Sequence, residues 1–69
     1  MKIRTETTYI ALTPQGEKTL HIGMYARLIF HDGTYHAGDI EEITEESVTV
    51  SRSDGNYTYH IRELQSIAV

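Results

Sequence analysis

Sixty-nine residues make one domain, 1–69, and leave room for about ten to fifteen core side chains, because so short a chain buries only about 60% of its unfolded surface. Hydrophobic residues at 39% exclude a disordered tail, and the lack of cysteine excludes a disulfide scaffold, a thiol nucleophile and a cysteine-based zinc site. A net charge of −4, without any Lys/Arg cluster, weighs against phosphate-backbone partners. A small domain without disulfide staples belongs in a reducing setting, so a cytoplasmic location is expected. Met1 to Thr8 carries Lys2 and Arg4 but no apolar run after them, unlike a signal peptide, and no segment is long enough to cross a bilayer.

Helical periodicity is missing, while nine Thr, eight Ile, five Tyr and three Val raise strand propensity along the chain. The first predicted strand is Thr7 to Leu12. Thr13-Pro14-Gln15-Gly16 reads as a type I turn, with Pro second and Gly fourth. Thr19 to Ile22 is a short second strand, and Gly23 permits a bend. Met24 to Phe30 follows. Its even positions, Met24, Ala26, Leu28 and Phe30, are apolar and face the core; Tyr25, Arg27 and Ile29 face outward.

Asp32-Gly33 then signals a hairpin of type I′, which needs positive φ at both central residues. That turn pairs Phe30 with Tyr35, Ile29 with His36 and Leu28 with Ala37. A bulge at Gly38 is needed to return Ile40 to the inner face. Glu41, Glu42, Glu45 and Glu46 crowd a solvated turn. Val48 and Val50 point inward, and Asp54-Gly55 makes a second hairpin that pairs Val50 with Tyr59 and Val48 with Ile61. Arg62 to Gln65 suits a single 3-10 turn, and Ser66 to Val69 a last short strand.

Five or six short strands, tight hairpins, a bend glycine and a one-turn helix before the last strand resemble the small β-barrel superfold of SH3-like and Sm-like domains. Arg27-Leu28-Ile29-Phe30-His31-Asp32-Gly33-Thr34-Tyr35-His36-Ala37-Gly38 is similar to the first half of an Sm motif, and Tyr59 to Ile67 to its closing strands. The resemblance implies an all-β fold: a small SH3-like or Sm-like barrel of five to six antiparallel strands with one 3-10 turn near the C-terminus. Its RNA site does not carry over. RNA-binding Sm proteins have an Asn where this chain reads Thr44-Glu45-Glu46, and an Arg-Gly or Lys-His pair where it reads Arg62-Glu63.

His31 and His36, with Asp32 and Asp39 near, are candidate metal ligands by residue type. Their expected places on the hairpin do not converge, so no metal and no cofactor is expected. Ser51 and His60 are expected on one outer face, but no third group completes a catalytic set. Tyr25, Arg27, Ile29 and His36 form the outer face of the first hairpin, with a composition typical of protein-binding hot spots. The expectation is a non-enzymatic adaptor or regulator that binds a protein or itself, as a homo-oligomer. The alternative is an Sm-like nucleic-acid-binding module.

Overall fold

A computed structural model of the chain describes residues 1–5 and 8–69. Among them are eight strands: β1 (Lys2–Thr5), β2 (Tyr9–Thr13), β3 (Gly16–Leu20), β4 (Tyr25–Phe30), β5 (Tyr35–Ile43), β6 (Ser47–Arg52), β7 (Gly55–His60) and β8 (Leu64–Ala68). A one-turn 3-10 helix, Ile61–Glu63, sits between β7 and β8. The all-β expectation holds, with more strands than five to six. They form two antiparallel sheets, ordered β1-β2-β3 and β7-β6-β5-β4-β8, and no ladder among the described residues joins the sheets into a closed barrel.

In the N-terminal third β1 has no expected counterpart, and β3 runs Gly16–Leu20 where Thr19 to Ile22 was expected. β2 is the expected first strand starting at Tyr9; Thr7 lies outside the described residues. The Pro14-Gln15 turn forms where expected, with Thr13 paired to Gly16. The Thr13 hydroxyl accepts the Gln15 N–H at 3.1 Å and donates to the Gly16 carbonyl at 2.9 Å. β1 gives no signal in the sequence because Ile3 is its single buried side chain.

In the larger sheet β4 alternates as expected, with Ala26 and Leu28 buried and Met24 and Phe30 packed on the core. The pairing differs by one residue from the expected register. Ile29 faces Tyr35, Leu28 faces His36 and Arg27 faces Ala37. The physical reason lies in the loop. Among the described residues only glycines have positive φ, and Gly33 is one of them at 89°, so Asp32 does not supply the second left-handed residue of a type I′ turn. Asp32 instead accepts the Thr34 N–H at 3.0 Å and the Thr34 hydroxyl at 2.6 Å, which lengthens the loop.

This one-residue slip moves Tyr35, His36 and Ala37 to the face opposite the expected one. His36, Gly38 and Ile40 share the inner face, and no bulge is needed at Gly38. The bulge comes later, where Ile40 faces Val50 but Glu42 faces Thr49, which leaves Glu41 as the extra residue and returns Ile43 to the core. The second hairpin slips by two residues, pairing Val50 with Tyr57 and Val48 with Tyr59, so its faces are unchanged. The final strand pairs with β4 of its own chain, with Gln65 bulged between Ser66, opposite Ile29, and Leu64, opposite Phe30.

The larger sheet is strongly coiled. Strands lie about 4.8 Å apart, so β4 and β7, with two strands between them, would stand about 14 Å apart in a flat sheet. Yet the rings of Phe30 on β4 and Tyr59 on β7 meet with centroids 5.2 Å apart. Gly38 contributes to the bend, because a Cβ there would overlap the Ser51 carbonyl oxygen of β6.

Among the described residues twelve apolar side chains form one core, and Ile3, Ala11 and Leu20 bring the small sheet into it. Fully burying one of the Val, Leu or Ile side chains among them is worth roughly 1.5–3 kcal/mol. Two polar links tie the small sheet to β8. The Met1 ammonium donates to the Leu64 carbonyl at 3.4 Å, and the buried Ser66 hydroxyl donates to the Gln15 side chain at 2.7 Å.

Candidate functional site

The expected site lay on the outward positions of β4. Tyr25, Arg27 and Ile29 do point away from the core, and the register sets Asp39, Ala37 and Tyr35 of β5 beside them in turn. From β8, Ala68 lies opposite Arg27 and Ser66 opposite Ile29. Tyr25 is 65% exposed, Tyr35 56% and Val69 62%, large values for such side chains. The Arg27 guanidinium lies over the Tyr35 ring, 4.7 Å from its centroid. This is a diagonal cross-strand contact, worth about 0.5–1 kcal/mol at an exposed site, and it holds both side chains in place. Tyr25 stands between two shallow depressions, one reaching Asp39 and Ser51 on β6, the other reaching Ala68 and Val69.

His36 does not belong to this face. The one-residue slip puts it on the inner side, half-buried, against Phe30 and Tyr59. The three rings meet edge-on in every pair, at 5.5 Å for Phe30–His36, 5.2 Å for Phe30–Tyr59 and 5.4 Å for His36–Tyr59. His36 Nδ1 is 2.8 Å from the Tyr59 hydroxyl and 2.8 Å from Arg52 Nη1. Arg52 can only donate, so Nδ1 is an acceptor and the ring proton is assigned to Nε2. The Arg52 stem runs past Gly38 to get there, and its guanidinium also lies 5.5 Å from the Tyr57 ring centroid. Tyr57 in turn donates its hydroxyl to Asp54 at 2.8 Å. That bond holds the Asp54 carboxyl below its ordinary value and raises the Tyr57 phenol.

The same slip exchanges a residue. Tyr35, expected opposite Phe30 on the core side, takes the place on the outer face that His36 loses. The signal was present in Asp32 and Thr34: an Asp two residues before a Thr favours a side-chain-closed loop over the shorter turn. Other expected neighbours also part. Asp39 stands beside Tyr25 on the outer face while His36 is inside, and among the described residues no three His, Asp or Glu side chains are grouped to hold a metal ion. Ser51 pairs with Asn56, and His60 with Ser47, so Ser51 and His60 are not cross-strand neighbours. No helix among the described residues is long and apolar enough to cross a membrane.

Comparison with known proteins finds no match among protein-family models, curated proteins or solved structures.

Proposed function

We propose that the chain is a non-enzymatic protein-binding module, an adaptor or regulator, whose contact surface is the outer face of β4 and β5. The observation that carries this reading is the exposed Tyr25–Arg27–Tyr35 group, with Ile29 and Val69 at its border. Tyr and Arg are enriched among the residues that dominate interface energies: Tyr offers a large contact area at little ordering cost, and Arg adds a charged, stacking group whose ordering costs more. The stacking of Arg27 on Tyr35 fixes part of the surface before a partner arrives, which lowers that cost further. The fold reading that accompanies it is a small SH3-like or Sm-like barrel. It draws support from the five-stranded meander whose last strand returns beside the first after a 3-10 turn, and from the ring contact between β4 and β7. Self-association through the same face makes the module a homo-oligomer.

The test is a paired capture from the native host with the wild-type chain and the Tyr25→Ala/Arg27→Ala double variant. A protein held by the wild type and lost by a variant of equal melting temperature supports the reading. Equal capture by both refutes the placement on this face, and capture of nucleic acid that fails steeply with added salt refutes the protein-binding reading. Light scattering over a range of concentration tests the oligomer: a monomer throughout removes that part.

A further inference from the structure

A second surface opens on the other side of the β4–β5 hairpin. A shallow, widely open groove is lined by Phe30, His31, Asp32, Thr34, His36 and Glu63. Its walls come from distant parts of the chain. The hairpin loop supplies Asp32 and Thr34, and the 3-10 helix supplies Glu63. The bulge at Gln65 brings them together, because it sets Leu64 opposite Phe30 and so places Glu63 beside the loop.

The floor is rigid. Phe30 and His36 meet edge-on, Tyr59 braces both rings, and Tyr59 and Arg52 hold His36 by its Nδ1. The walls are acidic, with two carboxylates and no Lys or Arg. Oδ1 of Asp32 takes both bonds from Thr34, which orients the carboxylate and leaves Oδ2 without a partner among the described residues. Those bonds also hold the carboxyl below its ordinary value, so it stays charged. The Glu63 side chain is exposed and makes no hydrogen bond or ion pair among the described residues.

We infer that this groove receives the basic side chain, Lys or Arg, of an extended segment of a partner protein. An apolar ligand would strip water from two carboxylates and return nothing to them. An anion would be repelled. A cation on an aliphatic stem satisfies both halves of the groove: the stem lies on the Phe30 and His36 rings, and the charged head reaches Asp32 and Glu63. The inference does not rest on the Tyr25 face, since the two surfaces lie on opposite sides of β4 and β5.

The experiment titrates the isotope-labelled full chain with acetyl-Gly-Arg-Gly-Arg-Gly-amide, and separately with the same peptide carrying neutral citrulline for arginine. Amide shifts are expected at residues 30–36 and 61–64 with the first peptide only. The Asp32→Asn/Glu63→Gln variant is expected to bind about fivefold more weakly, two exposed charge contacts being lost. The Glu41→Gln/Glu42→Gln variant removes the same charge elsewhere and is expected to stay within about twofold. Asn at position 32 keeps the oxygen that Thr34 needs, and Glu63→Gln alone serves if the double variant fails to fold. Absence of binding, shifts centred on Glu45 and Glu46, equal response to citrulline, or equal weakening in both double variants overturns the inference.

Discussion

Gly38→Ala is the sharpest test of the coiled sheet. Gly38 is buried and is not among the positive-φ glycines, so alanine suits its backbone angles. Taken alone, that change stabilises by about 0.4–1 kcal/mol, by restricting the unfolded chain. Against it stands the overlap of the new Cβ with the Ser51 carbonyl oxygen, together with an approach of 3.3 Å to Arg52 Cγ. The oxygen is backbone, one residue's pairing away in the Asp39–Ser51 register, and cannot swing aside as a side chain would. Overpacking of this kind costs about 1–3 kcal/mol. The clash wins, leaving a net loss of about 1–2 kcal/mol, or a fall of about 5–15 °C in Tm for a domain of this size. Urea unfolding and thermal melting followed by circular dichroism read it, with exposed Asp39→Ala as a control expected within about 0.5 kcal/mol. A Gly38→Ala chain as stable as the wild type would refute the close approach of β5 and β6.

Three more outcomes are expected. Gln15→Ala should cost more than Ser66→Ala, because it leaves the buried Ser66 hydroxyl unpaired at about 1–3 kcal/mol, whereas the second change removes the group that needs a partner; urea midpoints of the two variants decide it. Tyr25→Ala should change stability by no more than about 0.5 kcal/mol, since the side chain is mostly in water; a larger loss in thermal melting would make Tyr25 a structural residue. Asp32 and Asp54 both sit below the ordinary carboxyl value of 3.8, held there first by the Thr34 and Tyr57 hydroxyls. Near that pH the folded chain therefore binds fewer protons than the unfolded one. Their contribution is complete above pH 3.8 and is lost as pH falls through the lowered values, so Asp32→Asn and Asp54→Asn should each flatten the acid limb of stability against pH.

The sequence was most legible where chemistry is local. The alternation from Met24 to Phe30 and at Val48 and Val50 and the turn at Pro14 stand where the residues indicate, and a hairpin forms at each Asp-Gly pair, with its register shifted. It was least legible where one residue's φ decides a whole strand. With Asp32 outside the left-handed region, the register moves by one, His36 goes in and Tyr35 comes out. Of the four residues expected together on the outer face of the first hairpin, Tyr25, Arg27 and Ile29 are there, and His36 is replaced by Tyr35 through a hydrogen bond between Asp32 and Thr34 that carries no hydrophobic signal. β1 was invisible because a strand that buries only Ile3 has no alternation to read.

Taken alone, the sequence determined that the chain is all-β, which β4 side chains face the core, and where the turns fall, since these follow from side-chain branching, pleat alternation and the geometry of Pro and Gly. Only the tertiary structure decided the rest: the pairing registers, the bulges at Glu41 and Gln65, the meeting of Phe30, His36 and Tyr59, and the groove beside Glu63. Each of these depends on contacts between residues far apart in the chain, where a shift of one position changes a face without changing any local preference.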